Sequence, residues 1–357
     1  MRFAKDRPCV RKWNAMRAWT LERPAKIAEG SEGPLVLREL PMPEPGPGEV
    51  RLRVAACGVC HTDLHTAEGE LALPRLPIVP GHQVIGLVDA VGQGVPRTAL
   101  GTRLGAYWLR RACGTCPACL RGEENLCERA EFNGLHGDGG YAEWMTVPFA
   151  YTVPIPERLD TAAAAPLLCA GVIGYRSLRL SGFEPGRSVA LFGFGASAHL
   201  VLQLAARQGA QVYVYTRGES HRRLAISLGA AWAGRLDERA PHAADCAVTF
   251  APVGDVVPRA LAAVRPGGTV AINAIHMSDI PRMPYALLYG ERTLRSVANL
   301  TAQDAHEFMA LADRLDIRAE HTIYPFRDAN LALRDMKASR VDGAAVLSVE
   351  DLSDESL

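Results

Sequence analysis

The densest chemistry in the chain lies between positions 113 and 127, where Cys113, Cys116, Cys119 and Cys127 spell C-x2-C-x2-C-x7-C. Four thiolates at that spacing close a tetrahedral shell with no open position, which is what a structural zinc requires. Bacterial ferredoxins share the C-x2-C-x2-C run but continue with x3-C-P, whereas here a charged lobe over 120–126 precedes the fourth cysteine, so zinc is favoured over an iron–sulfur cluster. A second set is scattered: Cys60-His61-Thr62-Asp63-Leu64-His65, then Gly81-His82-Gln83, then Cys169 in an apolar stretch. No spacing rule alone gathers Cys60, His82 and Cys169, and a lone buried cysteine is ordinarily a small core residue.

A third chemistry follows the apolar run 188–192, where Gly193-Phe194-Gly195-Ala196-Ser197-Ala198 reads G-x-G-x-x-A. After a strand and before a helix, Gly193 and Gly195 allow a tight turn and close approach of a pyrophosphate. Ala198 lets the helix pack on its strand while its N-terminus faces the anion. NAD-selective sites place an Asp or Glu about twenty residues on. Here that stretch reads Val214-Tyr215-Thr216-Arg217-Gly218, with no carboxylate and a guanidinium that can meet a 2′-phosphate. The expectation is NADP(H) preference carried by Thr216 and Arg217, with His221, Arg222 and Arg223 as helpers. The alternative, solvated residues at a helix start and use of either cofactor, stays open.

These groups need a scaffold, and the patterning supplies two kinds. Apolar or alternating runs over 50–56, 84–91 and 141–147, punctuated by Gly and Pro clusters, predict a mainly β portion. Beyond about residue 160, strand-sized runs over 188–192, 211–215 and 246–250 alternate with helical stretches over 196–208 and 220–228, which predicts a parallel sheet covered on both faces. Helical patterns over 306–315 and 328–338 and a strand over 344–349 close the chain.

The 357 residues carry 39 basic and 39 acidic side chains, so the formal charge is zero and no global field favours nucleic acid or an anionic membrane. The longest nearly apolar run, 162–175, contains Pro166, Gly171 and Gly174 and is shorter than a membrane span. Residues 1–14 are basic without an apolar core, so no secretory signal is expected. Nine cysteines in this context suggest metal ligands rather than disulfides, and a reducing, cytoplasmic setting.

At these residues the chain resembles the zinc-dependent medium-chain alcohol dehydrogenases, in particular the bacterial branch that prefers primary alcohols. The shared motifs occur in the family's order: Glu44-Pro45-Gly46-Pro47-Gly48-Glu49-Val50, Cys57-Gly58-Val59 through His65, Gly81 to Gly86, the four-cysteine lobe, Gly139-Gly140-Tyr141-Ala142-Glu143 and Gly193 to Ala198. The resemblance covers residues 16 to about 349. It implies an α/β protein: a GroES-like, mainly β catalytic domain over 16–160 and 301–357, and a Rossmann-type doubly wound parallel sheet over 161–300. Residues 1–15 would be an extension, expected to be disordered, or follow a misplaced start.

The resemblance further implies two zinc ions per subunit. Cys60, His82 and Cys169 would bind the catalytic one, leaving a position for substrate, and Asp63 would fix the His82 tautomer. Thr62 and His65 resemble the family's proton relay, His61 its pyrophosphate contact, and Trp108 a wall of the substrate pocket, though a structural tryptophan is nearly as good a reading. Cys57 would be a packed thiol, with Cys9 and Cys246 left over. The implied activity is hydride transfer between a small primary alcohol or aldehyde and NAD(P), in a homodimer or homotetramer. Rival readings are a polyol or secondary-alcohol dehydrogenase, and a non-catalytic nucleotide-binding redox sensor or zinc-ribbon module. Three positions depart from the family: Gln83 replaces a glutamate behind the metal, Ala344 a phosphate-binding arginine, and Thr216 the acidic ribose contact.

Overall fold

The computed structural model describes residues 15–341 and 343–349; the expectations for residues 1–14, including Cys9, and for residues 350–357 lie outside them. β1 (Ala15–Leu21) and β2 (Leu35–Pro41) pair antiparallel, with Ala15 opposite Pro41 and Leu21 opposite Leu35. β3 (Glu49–Val59), alternately buried at first and then wholly buried, is the spine of a seven-stranded sheet. Helix α1 (His61–Glu68) leads from it toward β4 (Gln83–Val91), which lies antiparallel to β3 with Gly58 opposite Gln83. β5 (Arg103–Ala106) extends the sheet, β6 (Leu109–Arg111) and β7 (Glu131–Phe132) form a separate ladder around the short α2 (Pro117–Leu120), and β8 (Trp144–Pro148) and β9 (Thr152–Pro154) return to it.

The strand expected over 141–147 begins only at Trp144. The backbone N–H groups of Gly139, Gly140 and Tyr141 donate instead to the carbonyls of Val79, Gly81 and Pro80 at 2.8–3.0 Å, so the segment braces the loop carrying His82.

After α3 (Thr161–Ala164) and α4 (Ala170–Leu180) the chain alternates strand and helix: β10 (Ser188–Phe192), α5 (Ala196–Ala206), β11 (Gln211–Tyr215), α6 (Glu219–Ser227), β12 (Trp232–Gly234), β13 (Ala244–Thr249), α7 (Val256–Ala263), β14 (Val264–Ile272) and β15 (Thr293–Ser296). These six strands are all parallel and, numbered along the chain from β10, run 3-2-1-4-5-6 across the sheet. Alternate side chains bury opposite faces: Val189, Leu191, Val212 and Val248 point to one core, and Ala190, Phe192, Tyr213 and Val270 to another. The order reverses between β10 and β13, and a ligand crevice opens beyond the carboxyl ends of strands at such a switch point.

α8 (Ala302–Arg314), β16 (His321–Pro325), α9 (Ala329–Lys337) and β17 (Ala344–Ser348) complete the described chain. β17 joins the first sheet beside β3, with Val346 opposite Gly58. The buried face of α8, Ala305, Phe308, Met309 and Ala312, shares one core with Ile85, Tyr107, Val189 and Leu191, so the two sheets are joined by continuous packing. Among the described residues no single helix is long and apolar enough to cross a membrane.

Candidate active site

The first turn of α1 gathers more chemistry than any other segment. Cys60 is its N-cap, and the Cys60 thiol accepts the Thr62 N–H at 3.3 Å while the Asp63 carboxylate accepts the Cys60 N–H at 2.9 Å. Asp63 also accepts the Gly81 N–H at 3.2 Å, and its Oδ1 lies 3.2 Å from His82 Nδ1. His82 Nε2, on the other side of the ring, is 3.3 Å from Cys60 Sγ. Cys169 arrives from the second helix start, as the residue before α4, and its Sγ joins those two atoms within 4.8 Å of one another. Both cysteines therefore sit at helix N-termini.

The donor set fits a divalent metal. The Cys60 thiol is pushed well up, first by its hydrogen bond with Cys169 and then by burial. Burial alone would lower the His82 imidazole, but Asp63 and Cys60 outweigh it and push it up to about 10. Two crowded thiols beside a carboxylate thus favour positive charge at this point, and a zinc ion held by Cys60, His82 and Cys169 would supply it. Trp108 packs edge-on against the His82 ring at 4.9 Å and stacks on Phe132 at 4.9 Å, forming an aromatic wall beside the donor set. Gln83 is 2% exposed, and its side-chain N–H group has no hydrogen-bond partner among the described residues.

The cysteines of the lobe, Cys113, Cys116, Cys119 and Cys127, likewise place their sulfurs within 4.8 Å of one another. Backbone N–H groups aim at them: Thr115 and Cys116 donate to Cys113 Sγ at 3.5 and 3.3 Å, Cys119 to Cys116 Sγ and Cys113 to Cys127 Sγ at 3.5 Å. The bonds from Thr115 and Cys116 hold the Cys113 thiol down at about 5, the state a thiolate ligand needs. The lobe also braces the helix that follows Cys169. Arg176 of α4 donates to Asn125 Oδ1 at 3.3 Å and to the buried Asp304 at 2.7 Å, and Arg179 pairs with the other Asp304 oxygen at 2.8 Å. Cys57 is fully buried, its thiol donating to the Gly58 carbonyl at 3.5 Å, and Cys246 is buried on β13.

A cleft of about 550 Å³ lies at the switch point, lined among others by His61, Gly193, Gly195, Ser197, Thr216, Arg217, His221 and Asn273. Gly193 adopts φ 93°, and a Cβ there would come within 2.9 Å of the Ala251 nitrogen, so the turn demands glycine. A Cβ on Gly195 would meet nothing within 4 Å, which leaves the backbone open to a phosphate at the start of α5. Ala198 is fully buried where the helix meets its strand. None of the lining residues is acidic.

Arg222, expected as a cofactor contact, donates from Nη1 to the Arg217 and Thr216 carbonyls at 2.8 and 3.3 Å, which shapes the loop beside the cleft. Arg223 pairs with Glu219 on the exposed face of α6. His65 lies beyond the cleft end of α1, with His276 at 5.7 Å and His61 at 6.5 Å between ring centroids. Sequence reasoning missed its contact with Glu70, whose Oε2 lies 2.6 Å from His65 Nδ1, and the Phe132 ring behind Trp108. A carboxylate just past a helix end was the only signal for the first, and nothing in the spacing pointed to the second.

Comparison with known proteins gives one family. Residues 46–157 match the alcohol dehydrogenase GroES-like domain. The protein named probable alcohol dehydrogenase AdhA of Mycobacterium tuberculosis is 45% identical over 340 residues, covering 94% of this chain and 97% of that protein. Two solved structures superpose along nearly the whole chain. Acetophenone reductase from Geotrichum candidum in complex with NAD has a TM-score of 0.81 at 26% identity, covering 95% of this chain and 98% of that one. A zinc-binding dehydrogenase candidate from Sinorhizobium meliloti bound to NADP has a TM-score of 0.83 at 27% identity, covering 94% and 100%.

Proposed function

This chain belongs to the zinc-dependent medium-chain alcohol dehydrogenases, and we propose how its residues divide the reaction between a small primary alcohol or aldehyde and NADP(H). The observation that carries the reading is the convergence of Cys60, His82 and Cys169 on one point next to a cleft that His61 of the same helix lines. A zinc ion bound there would supply Lewis acidity, and a bound nicotinamide dinucleotide would supply the hydride acceptor.

The chain's own residues do the rest. Cys60, His82 and Cys169 would hold the catalytic zinc, and Cys113, Cys116, Cys119 and Cys127 a second, structural one. Asp63 accepts the Nδ1–H of His82 and so keeps Nε2 free to ligate. Thr62, buried at the first turn of α1, accepts the alcohol proton while its own hydroxyl proton moves on toward the partly exposed His65, which releases it to solvent. Trp108, backed by Phe132, narrows the pocket, which favours small, unbranched alcohols over secondary ones.

Gly193, Gly195 and the α5 N-terminus hold the pyrophosphate, with His61 beside them. Arg217 faces the ribose end, where its charge and the lack of any acidic lining residue favour a 2′-phosphate. Solved relatives carry either cofactor, NAD in one and NADP in the other. We divide the chain into a catalytic unit, 16–160 with 301–357, around a nucleotide-binding unit, 161–300. The unpaired edge of β15, with the exposed Tyr285, Tyr289 and Ile275 nearby, supports a homo-oligomer, and the free thiols suit a reducing cytoplasm.

The test is reduction of short aliphatic and benzylic aldehydes by zinc-replete protein with NADPH or NADH, beside chelator-treated protein. Turnover that needs zinc and is fastest with NADPH and unbranched substrates is the expected result. Preference for secondary alcohols or polyols would overturn the pocket assignment. Cofactor binding without turnover on any alcohol or aldehyde would put a nucleotide-binding sensor in its place.

A further inference from the structure

α1 ends at Gly69, which adopts the left-handed conformation at φ 75° and donates its N–H to the carbonyls of His65 and Thr66. That turn folds the next residue back along the helix. The Glu70 N–H donates to the His65 carbonyl at 2.9 Å, and Glu70 Oε2 comes to 2.6 Å from His65 Nδ1. The other carboxylate oxygen accepts Lys26 Nζ at 2.6 Å, and Lys26 is tied in turn to Glu68 at 3.2 Å. Hydrogen bonds from Lys26 and then His65 hold the Glu70 carboxyl down at about 2. It is therefore ionised and can only accept, so His65 Nδ1 carries the hydrogen and Nε2 keeps its lone pair.

We propose that Glu70 is a positioning residue of the proton relay: its carboxylate locks His65 as the Nδ1–H tautomer, so that Nε2 is the atom that receives the alcohol's proton. This inference rests on the assignment of His65 to the relay. When Nε2 gains the proton the ring becomes an imidazolium, its charge faces the Glu70 carboxylate, and the same proton leaves to water, for the His65 side chain is 27% exposed. The groups around the ring oppose one another: His61, His276 and, further out, Lys26 and Lys337 disfavour added positive charge, and Glu68 and Glu70 favour it. Glu70 is the carboxylate in direct contact. Without it the ring is free to present Nε2–H, which cannot accept.

The experiment compares Glu70→Ala, Glu70→Gln, Lys26→Met and His65→Gln in the zinc-replete full chain, reading the ring 15N shifts of His65 by NMR and kcat and KM for benzyl alcohol oxidation. Glu70→Ala should move His65 from Nδ1–H to a tautomer mixture and lower kcat about tenfold, with KM within about twofold. That is far less than the roughly 10⁴-fold loss of a buried carboxylate–histidine pair in the wrong tautomer, because His65 also meets water. Glu70→Gln, whose amide oxygen still accepts from Nδ1–H, should keep the tautomer and most of the rate, as should Lys26→Met. An unchanged tautomer in Glu70→Ala, or a Lys26→Met variant as slow as Glu70→Ala, would overturn the role of Glu70 while a slow His65→Gln preserved the relay. Full activity in His65→Gln would overturn the relay itself and the role of Glu70 with it.

Discussion

Replacing Arg217 by alanine should erase most of the proposed preference for NADP(H) while leaving NAD(H) kinetics nearly unchanged. Arg217 is the exposed cation at the ribose end of a cleft with no acidic lining residue. A fully desolvated charged hydrogen bond contributes about 1.5–3 kcal/mol, but solvent screening at an exposed guanidinium reduces that to about 1 kcal/mol, or roughly fivefold in kcat/KM. Thr216→Asp acts from the other side. Thr216 is 6% exposed, and its N–H donates to the Gly234 carbonyl at 2.9 Å, so the backbone stays in place when the side chain changes. A carboxylate about 5 Å from a phosphate at an effective dielectric of about 40 is repelled by about 2 kcal/mol, roughly thirtyfold against NADPH, and it gains the ribose hydroxyls of NADH. The double variant should shift the NADPH/NADH ratio by about 10²-fold. The assay is kcat/KM for each cofactor at saturating benzaldehyde, repeated at about 50 and about 500 mM salt, since the Arg217 effect should fade as screening grows. A wild-type protein faster with NADH, or an Arg217→Ala loss equal for both cofactors, would refute the assignment.

Three further outcomes follow from the metal centres. Elemental analysis should find two zinc ions per subunit, and Cys116→Ser should lose one of them and lower Tm by at least about 5 °C, because a metal held by the lobe would order it and the lobe braces Arg176 through Asn125. Gln83→Glu adds a buried negative charge beside the ligand His82, which weakens the metal as a Lewis acid, so the rise of alcohol oxidation with pH should move to higher pH; an unshifted profile would show that this charge is immaterial. Trp108→Ala removes the ring packed on His82, and kcat/KM for branched and secondary alcohols should rise about tenfold relative to ethanol, measured by competition.

What could be read in the sequence divides by how local the chemistry is. Cys113 to Cys127 and Gly193 to Ala198 were legible because each is one short segment whose spacing already is its geometry, and the structure needs only a turn or a strand–helix junction to form them. Cys60, His82 and Cys169 were legible only through a resemblance. They come from a helix cap, a loop before β4 and the start of α4, and what unites them is the topology of two packed units, which no periodicity encodes. Arg222 was read from its position as a nucleotide contact, and its guanidinium also donates to the Thr216 and Arg217 carbonyls, a local bond the sequence spacing did not signal. The strand expected at 141 starts three residues late for a similar reason, since the donors of 139–141 were already committed to the His82 loop.

Helix α1 explains why metal and nucleotide chemistry can be coupled in this protein without a large moving part. Its cap, Cys60, faces the metal donors, its first residue, His61, lines the nucleotide cleft, and Asp63 one turn in orients the ligand His82. These roles lie within four consecutive residues, so a rigid-body shift of the helix relative to the parallel sheet moves the metal ligand and the nucleotide contact together. Its two ends are fixed from different directions. The N-terminus is held by Asp63 to the Gly81 N–H, and the C-terminus by Glu68, which accepts the Ile27 N–H at 2.8 Å and pairs with Lys26 and Lys337. Pinning both ends leaves the helix little freedom to slide along its own axis, so Cys60 and His61 keep their places relative to His82 and the cleft.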